Sequence, residues 1–79
     1  ANGQARVREF IRALREGKVL SALARGPLTL EELVPLAYDD TPGADPALAA
    51  RSALAHLLKL RAEDRADVDP AGRWRLLDS

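Results

Sequence analysis

Between Arg6 and Ala24 the apolar residues Val7, Phe10, Ile11, Leu14, Val19, Leu20 and Leu23 recur at steps of three and four, the spacing of one helix face. The first predicted element is therefore a long helix. Gly17 lies inside it at a cost of about 1 kcal/mol relative to Ala, and marks either a bend or a shift of the apolar face. Gly26-Pro27 closes it, since Gly supplies a C-terminal cap and Pro cannot continue the hydrogen-bond ladder. Thr29-Leu30-Glu31-Glu32 then spells a capping box, in which a Thr hydroxyl and a Glu carboxylate satisfy each other's backbone amides. Helix two is expected from Leu30 to about Tyr38, with Leu33, Leu36 and Ala37 inward and a kink at Pro35, where one backbone bond is lost.

Asp39 to Ala44 reads as a loop around Thr41-Pro42-Gly43. Asp45-Pro46 is a start signal, an N-cap carboxylate followed by proline at the first helical position. Helix three should run to about Glu63. On a 100° wheel Ala47, Ala50, Ala53, Leu54, Leu57 and Leu60 face one way and Ser52, His56, Lys59 and Glu63 the other. Asp69-Pro70-Ala71-Gly72 has type I turn chemistry and joins a strand over Ala66–Val68 to one over Arg73–Leu76. Alternation puts Trp74 and Leu76 on one side of the last strand and Arg73 and Arg75 on the other, so Trp74 is expected under the hairpin, against helices three and one. Three helices and a C-terminal hairpin predict a winged helix-turn-helix, a mostly α fold with a small β-hairpin as the wing, occupying residues 1–79.

Composition narrows what such a domain can do. The chain has 79 residues, and a domain of that size buries only about 60–65% of the surface its unfolded chain exposes, so the core must be thin. It has no Cys, hence no disulfide framework or thiolate metal site, which fits a cytoplasmic setting. No apolar run approaches the ~20 residues of a membrane span, and no membrane partner is expected. Twelve Lys and Arg balance twelve Asp and Glu, which removes the general phosphate attraction of nucleic-acid binders and leaves only local contacts. The absence of any Met, even at residue 1, points to a piece of a longer polypeptide.

Catalytic residues are not expected in this chain. His56 is its single His, so no paired-His metal site arises, and a site built with Glu63 would have to reach across two helical turns. The adjacent carboxylates Glu31-Glu32 and Asp39-Asp40 point apart on a helix, and solvation of helix ends explains them better than acid–base work. What remains is one candidate nucleic-acid or partner surface: Arg51, Ser52, His56 and Lys59 on helix three, Arg65 beyond its end, and Arg73 and Arg75 on the wing. Glu63, Asp64, Asp67 and Asp69 lie among these cations and blunt their field, so an ordinary solvated face with surface ion pairs competes with a binding role.

Arg15-Glu16-Gly17-Lys18-Val19-Leu20, Thr29-Leu30-Glu31-Glu32-Leu33-Val34, Ala37-Tyr38, Ala55-His56-Leu57-Leu58-Lys59-Leu60 and Gly72-Arg73-Trp74-Arg75-Leu76 occur in an order and spacing with a known counterpart. The chain resembles the accessory winged-helix domain at the C-terminus of metallo-β-lactamase superfamily hydrolases, the group that includes the lactamase-beta-like endoribonucleases. It departs from that pattern where Ile11-Arg12 replaces a His-Arg pair and where Glu63-Asp64-Arg65 replaces Glu-Gly-Arg. The resemblance implies a non-catalytic domain that packs beside an upstream catalytic domain of the same polypeptide and helps substrate engage. That upstream domain would bind two zinc ions through a His-x-His-x-Asp-His motif, which is absent here. Helix one would then pack on the parent and leave Val7 or Phe10 partly exposed in the isolated piece. RNA or DNA would be bound weakly, if at all, beside that partner. The alternatives are a self-standing winged-helix DNA-binding transcriptional regulator and a protein-interaction module.

Overall fold

The computed structural model describes residues 2–77. Helix α1 covers Asn2–Leu23, strand β1 Leu28–Thr29, helix α2 Leu30–Ala37, helix α3 Pro46–Ala62, and strands β2 and β3 Ala66–Val68 and Arg73–Leu76. Three helices thus pack with a small antiparallel sheet in a winged-helix arrangement. Its third strand is not in the sequence prediction: β1 is two residues long and has no alternation to read. It pairs with β3 through Leu28–Trp74 and Thr29–Arg73, which makes β3 the central strand, in the order β1-β3-β2.

Local chemistry sets the element ends. Thr29 ends β1 and also caps α2: its hydroxyl accepts from the Glu32 amide at 3.2 Å, and its own amide donates to Glu32 Oε1 at 2.9 Å. Helix α2 runs through Pro35 and stops at Ala37, with Tyr38 as its cap. Asp45 caps α3 by accepting from the Ala47 amide at 2.9 Å. At the other end of α3 the Asp64 amide donates to the Arg61 carbonyl and the Arg65 amide to the Leu60 carbonyl, while Asp64 sits in the left-handed region at φ 58°. These are the two bonds of a Schellman cap, whose left-handed residue is usually Gly; Asp is one of the few others that adopts it readily.

The wing turn is built around Asp69. Its Oδ1 accepts from the amides of Ala71 and Arg73, both at 2.9 Å, and its carbonyl accepts from Gly72. Gly72 takes φ 83°, the left-handed residue that turns a type I bend into a hairpin. Ala66, Asp67 and Val68 then face Leu76, Arg75 and Trp74.

The core gathers Val19, Ala22 and Leu23 of α1, Leu33 and Ala37 of α2, Ala53, Leu57 and Leu60 of α3, with Ala66 and Trp74 of the sheet. Trp74 is 6% exposed, as the alternation of β3 predicts. Two predicted faces need correction. On α3 Ala49 is buried while Ala47 is exposed and Ala50 half-buried, because the helix meets the core about half a residue's rotation from the centre of the predicted face. On α1 the apolar face is discontinuous: Val19, Ala22 and Leu23 are buried, yet Val7, Phe10, Ile11 and Leu14 are 56%, 69%, 52% and 47% exposed. The change falls on either side of Gly17, and the helix continues through it.

Candidate functional site

Two consecutive residues of α1 place the neighbouring helices. Arg15, with a side chain 14% exposed, donates to the Ala37 carbonyl, pairs with Asp40 at 2.9 Å and lies over the Tyr38 ring at 4.3 Å from its centroid. One guanidinium therefore satisfies an orphan carbonyl at the end of α2 and adds a cation–π contact. Lys18 pairs with Asp39. Asp39 and Asp40 are thus anchors for α1 rather than simply solvated carboxylates. The Tyr38 hydroxyl beside them is buried without a hydrogen-bond partner.

Glu16 turns the other way, towards α3. Its Oε1 lies 2.8 Å from Lys59 Nζ and 4.0 Å from His56 Nδ1, in a groove that Glu9, Arg12 and Ala13 also line. The carboxyl is held below its ordinary value chiefly by the Lys59 hydrogen bond and by the charges of Lys59, His56 and Arg65, against burial. Lys59 is raised mainly by the same bond. His56 is lowered, mainly because burial disfavours the imidazolium, with Glu16 opposing and Lys59, Arg15 and Arg12 adding to the effect.

These contacts divide the seven residues of the predicted surface. His56, with a side chain 15% exposed, faces α1 instead of solvent, and Lys59 is held by Glu16 and, at 3.6 Å, by Glu63. Arg65 is exposed and 3.8 Å from Glu63. Arg51, Ser52, Arg73 and Arg75 are exposed, and the three arginines have no ion pair among the described residues. Arg73 still stands close enough to Glu32 to lower its carboxyl slightly; the larger causes there are the capping-box bonds from Thr29. The structure therefore brings together Arg73 and Arg75 on one side of β3, leaves Arg51 on the outer face of α3, turns His56 into the junction with α1, and leaves Lys59 exposed at the edge of that junction, paired with Glu16.

The residues that surround Arg51 are Leu48, Ala55 and Leu58, spaced at three and four along α3. Leu48 is 60% and Leu58 48% exposed. The wheel passed over this aliphatic face because α3 is apolar on most of its circumference, so its pattern has no sharp centre. A helix that reads base edges needs donors and acceptors in these places, and Arg51 is the only one here. Among the described residues no group of three His, Asp or Glu side chains is placed to hold a metal ion.

The matching of families agrees with this geometry. Residues 29–74, from the α2 cap to Trp74 of the wing, match the model of the β-lactamase associated winged helix domain. This chain belongs to that family. No curated protein and no solved structure matches it. In this β-lactamase associated winged helix domain the matched segment holds α2, α3 and most of the wing, while α1 lies before it. No helix among the described residues is long and apolar enough to cross a membrane.

Proposed function

We propose that this winged helix is the non-catalytic accessory domain of a metallo-β-lactamase-fold hydrolase. It packs beside an upstream catalytic domain of the same polypeptide and helps substrate, nucleic acid among the candidates, to engage. The observation that carries the reading is the family match over residues 29–74. It is supported by the aliphatic outer face of α3, around Leu48 and Leu58, which suits contact with protein better than with base edges. The chemistry itself would belong to the catalytic domain and its two zinc ions. This chain would contribute Arg73 and Arg75, whose exposed guanidiniums on the wing can steer a phosphate or carboxylate towards that domain.

Reading the gene upstream of Ala1 tests the assignment. A His-x-His-x-Asp-His motif within the preceding couple of hundred codons is the expected result; a start codon at Ala1 would overturn it in favour of a self-standing regulator. Titration of the 79-residue chain with RNA and DNA at low salt separates the same two readings. Binding should be weak, lost as salt rises, and removed by Arg73→Glu with Arg75→Glu, since few phosphates can be neutralised. Sequence-specific binding at micromolar or tighter concentrations would favour the regulator.

A further inference from the structure

All ion pairs between α1 and α3 among the described residues run through one carboxylate, that of Glu16. Its Oε1 takes the Lys59 ammonium at 2.8 Å and stands 4.0 Å from His56 Nδ1, beyond hydrogen-bond reach. Glu16 and His56 are largely covered by the two helices, whereas Lys59 is more than half exposed. One buried acceptor thus lies between a buried imidazole and a lysine that water can also solvate.

The groove these side chains share holds two carboxylates, Glu9 and Glu16, and two cations, Arg12 and Lys59. Its formal charge is therefore zero while His56 is neutral and positive once His56 binds a proton. From α1 the imidazole meets Glu16, with Glu9 in the same groove and Arg12 and Arg15 close enough to act on it. From its own helix Lys59 lies one turn on, and Arg65, past the end of α3, acts on Glu16. Burial above all, with Lys59, Arg15 and Arg12 and against Glu16, holds His56 below its ordinary 6.5. An imidazolium here has three cations around it, and its nearest carboxylate is already bound to one of them. A buried charge without a partner costs far more than an exposed one, so in a contest for Glu16 the imidazolium prevails over Lys59. A movement of about 1 Å brings the carboxylate within hydrogen-bond reach of Nδ1. Lys59 then keeps only Glu63, at 3.6 Å.

We propose that His56, Glu16 and Lys59 form a proton-operated switch, in which a proton on His56 draws the Glu16 carboxylate off Lys59 and frees the ammonium at the outer edge of α3. Near neutral pH Lys59 is held against α1 and the groove carries no net charge. In acid the same surface presents a released lysine beside a positive groove, and an anionic partner is attracted more strongly. The switch is a property of α1 and α3 alone and holds whichever domain lies beside them.

Side-chain NMR of the 79-residue chain between about pH 8 and about pH 4.5 tests it. The His56 ring carbons should titrate with a midpoint below 6.5. The Glu16 carboxyl carbon and the Lys59 ammonium nitrogen should shift with that same midpoint, Lys59 towards the position of an unpaired lysine. In His56→Gln both should lose this step, which leaves Glu16 only its own titration at lower pH. Glu16→Gln should push the His56 midpoint further down, because the ring loses its nearest carboxylate, and Lys59→Gln should move it up, because a cation is removed and Glu16 is free. A His56 midpoint at or above 6.5, or a His56 titration that Lys59 does not follow, overturns the switch. Trp74 emission should stay constant across the step; a change with the same midpoint would make the step an unfolding of the whole domain and overturn the switch as well.

Discussion

The two halves of α1 have equally helical apolar spacing and opposite fates. Val19, Ala22 and Leu23 form part of a closed core, whereas Val7, Phe10, Ile11 and Leu14 stand in solvent. The difference lies in what surrounds each half. The second half is clamped from two sides, by Arg15 and Lys18 to the end of α2 and by Glu16 to α3, and both sets of contacts begin where the apolar face rotates. Periodicity announces that a helix has a face to bury; only neighbours decide whether this domain or another one buries it.

The sharpest break of the comparison is a pair of truncations of similar size. Trp74→Ala should cost roughly 3–5 kcal/mol, because the ring is enclosed by the buried end of the molecule, and should leave so small a domain largely unfolded. Phe10→Ala, at 69% exposure, should stay within about 0.5 kcal/mol of the parent chain. Thermal melts followed by circular dichroism read both; a Trp74→Ala chain melting within a few degrees of the parent would refute the wing packing.

Arg15→Ala comes next. It leaves the Ala37 carbonyl without its side-chain donor and removes the contact with the Tyr38 ring, for an expected loss of about 1–3 kcal/mol by urea denaturation. A loss no larger than that of Arg12→Ala would show that the clamp at the changeover contributes nothing special.

The smallest effect concerns the α1–α3 junction and its pH dependence. Because the folded protein holds His56 below its ordinary 6.5, the unfolded chain binds that proton more tightly. The contribution of His56 is therefore complete above about 6.5 and lost as pH falls through the folded value. Glu16, also lowered, contributes above 4.5 and loses its part further down. The melting temperature should fall between about pH 7.5 and about pH 5, and fall less in His56→Gln. Parallel slopes for the two chains would remove His56 from the junction.

Local chemistry was legible wherever a signal is complete within a few residues. The Thr29–Glu32 capping box, the Asp45-Pro46 start, the Asp69-Pro70-Ala71-Gly72 turn and the inward position of Trp74 all stand in the structure where their residue types place them. The departure at Asp64 was legible too, since a Schellman cap asks for one left-handed residue and Asp64 supplies it. The winged-helix fold follows from these pieces in order, because few other arrangements cover the apolar sides of three helices and a short hairpin at once.

The candidate site was legible only in part. His56 and Lys59 share a face of α3 with Ser52 on a wheel, but a wheel is blind to the helix that crosses in front of it, and Glu16 comes from forty or more residues away. The pairing of β1 with β3 and the anchoring of Asp39 and Asp40 by Lys18 and Arg15 arise in the same way. By itself the sequence determined where elements start, stop and turn, since those choices rest on backbone hydrogen bonds made within a few residues. Which apolar faces are covered, which charges are paired and which histidine is withdrawn from solvent were decided by tertiary structure, because burial and ion pairing depend on distances between segments that no local pattern carries.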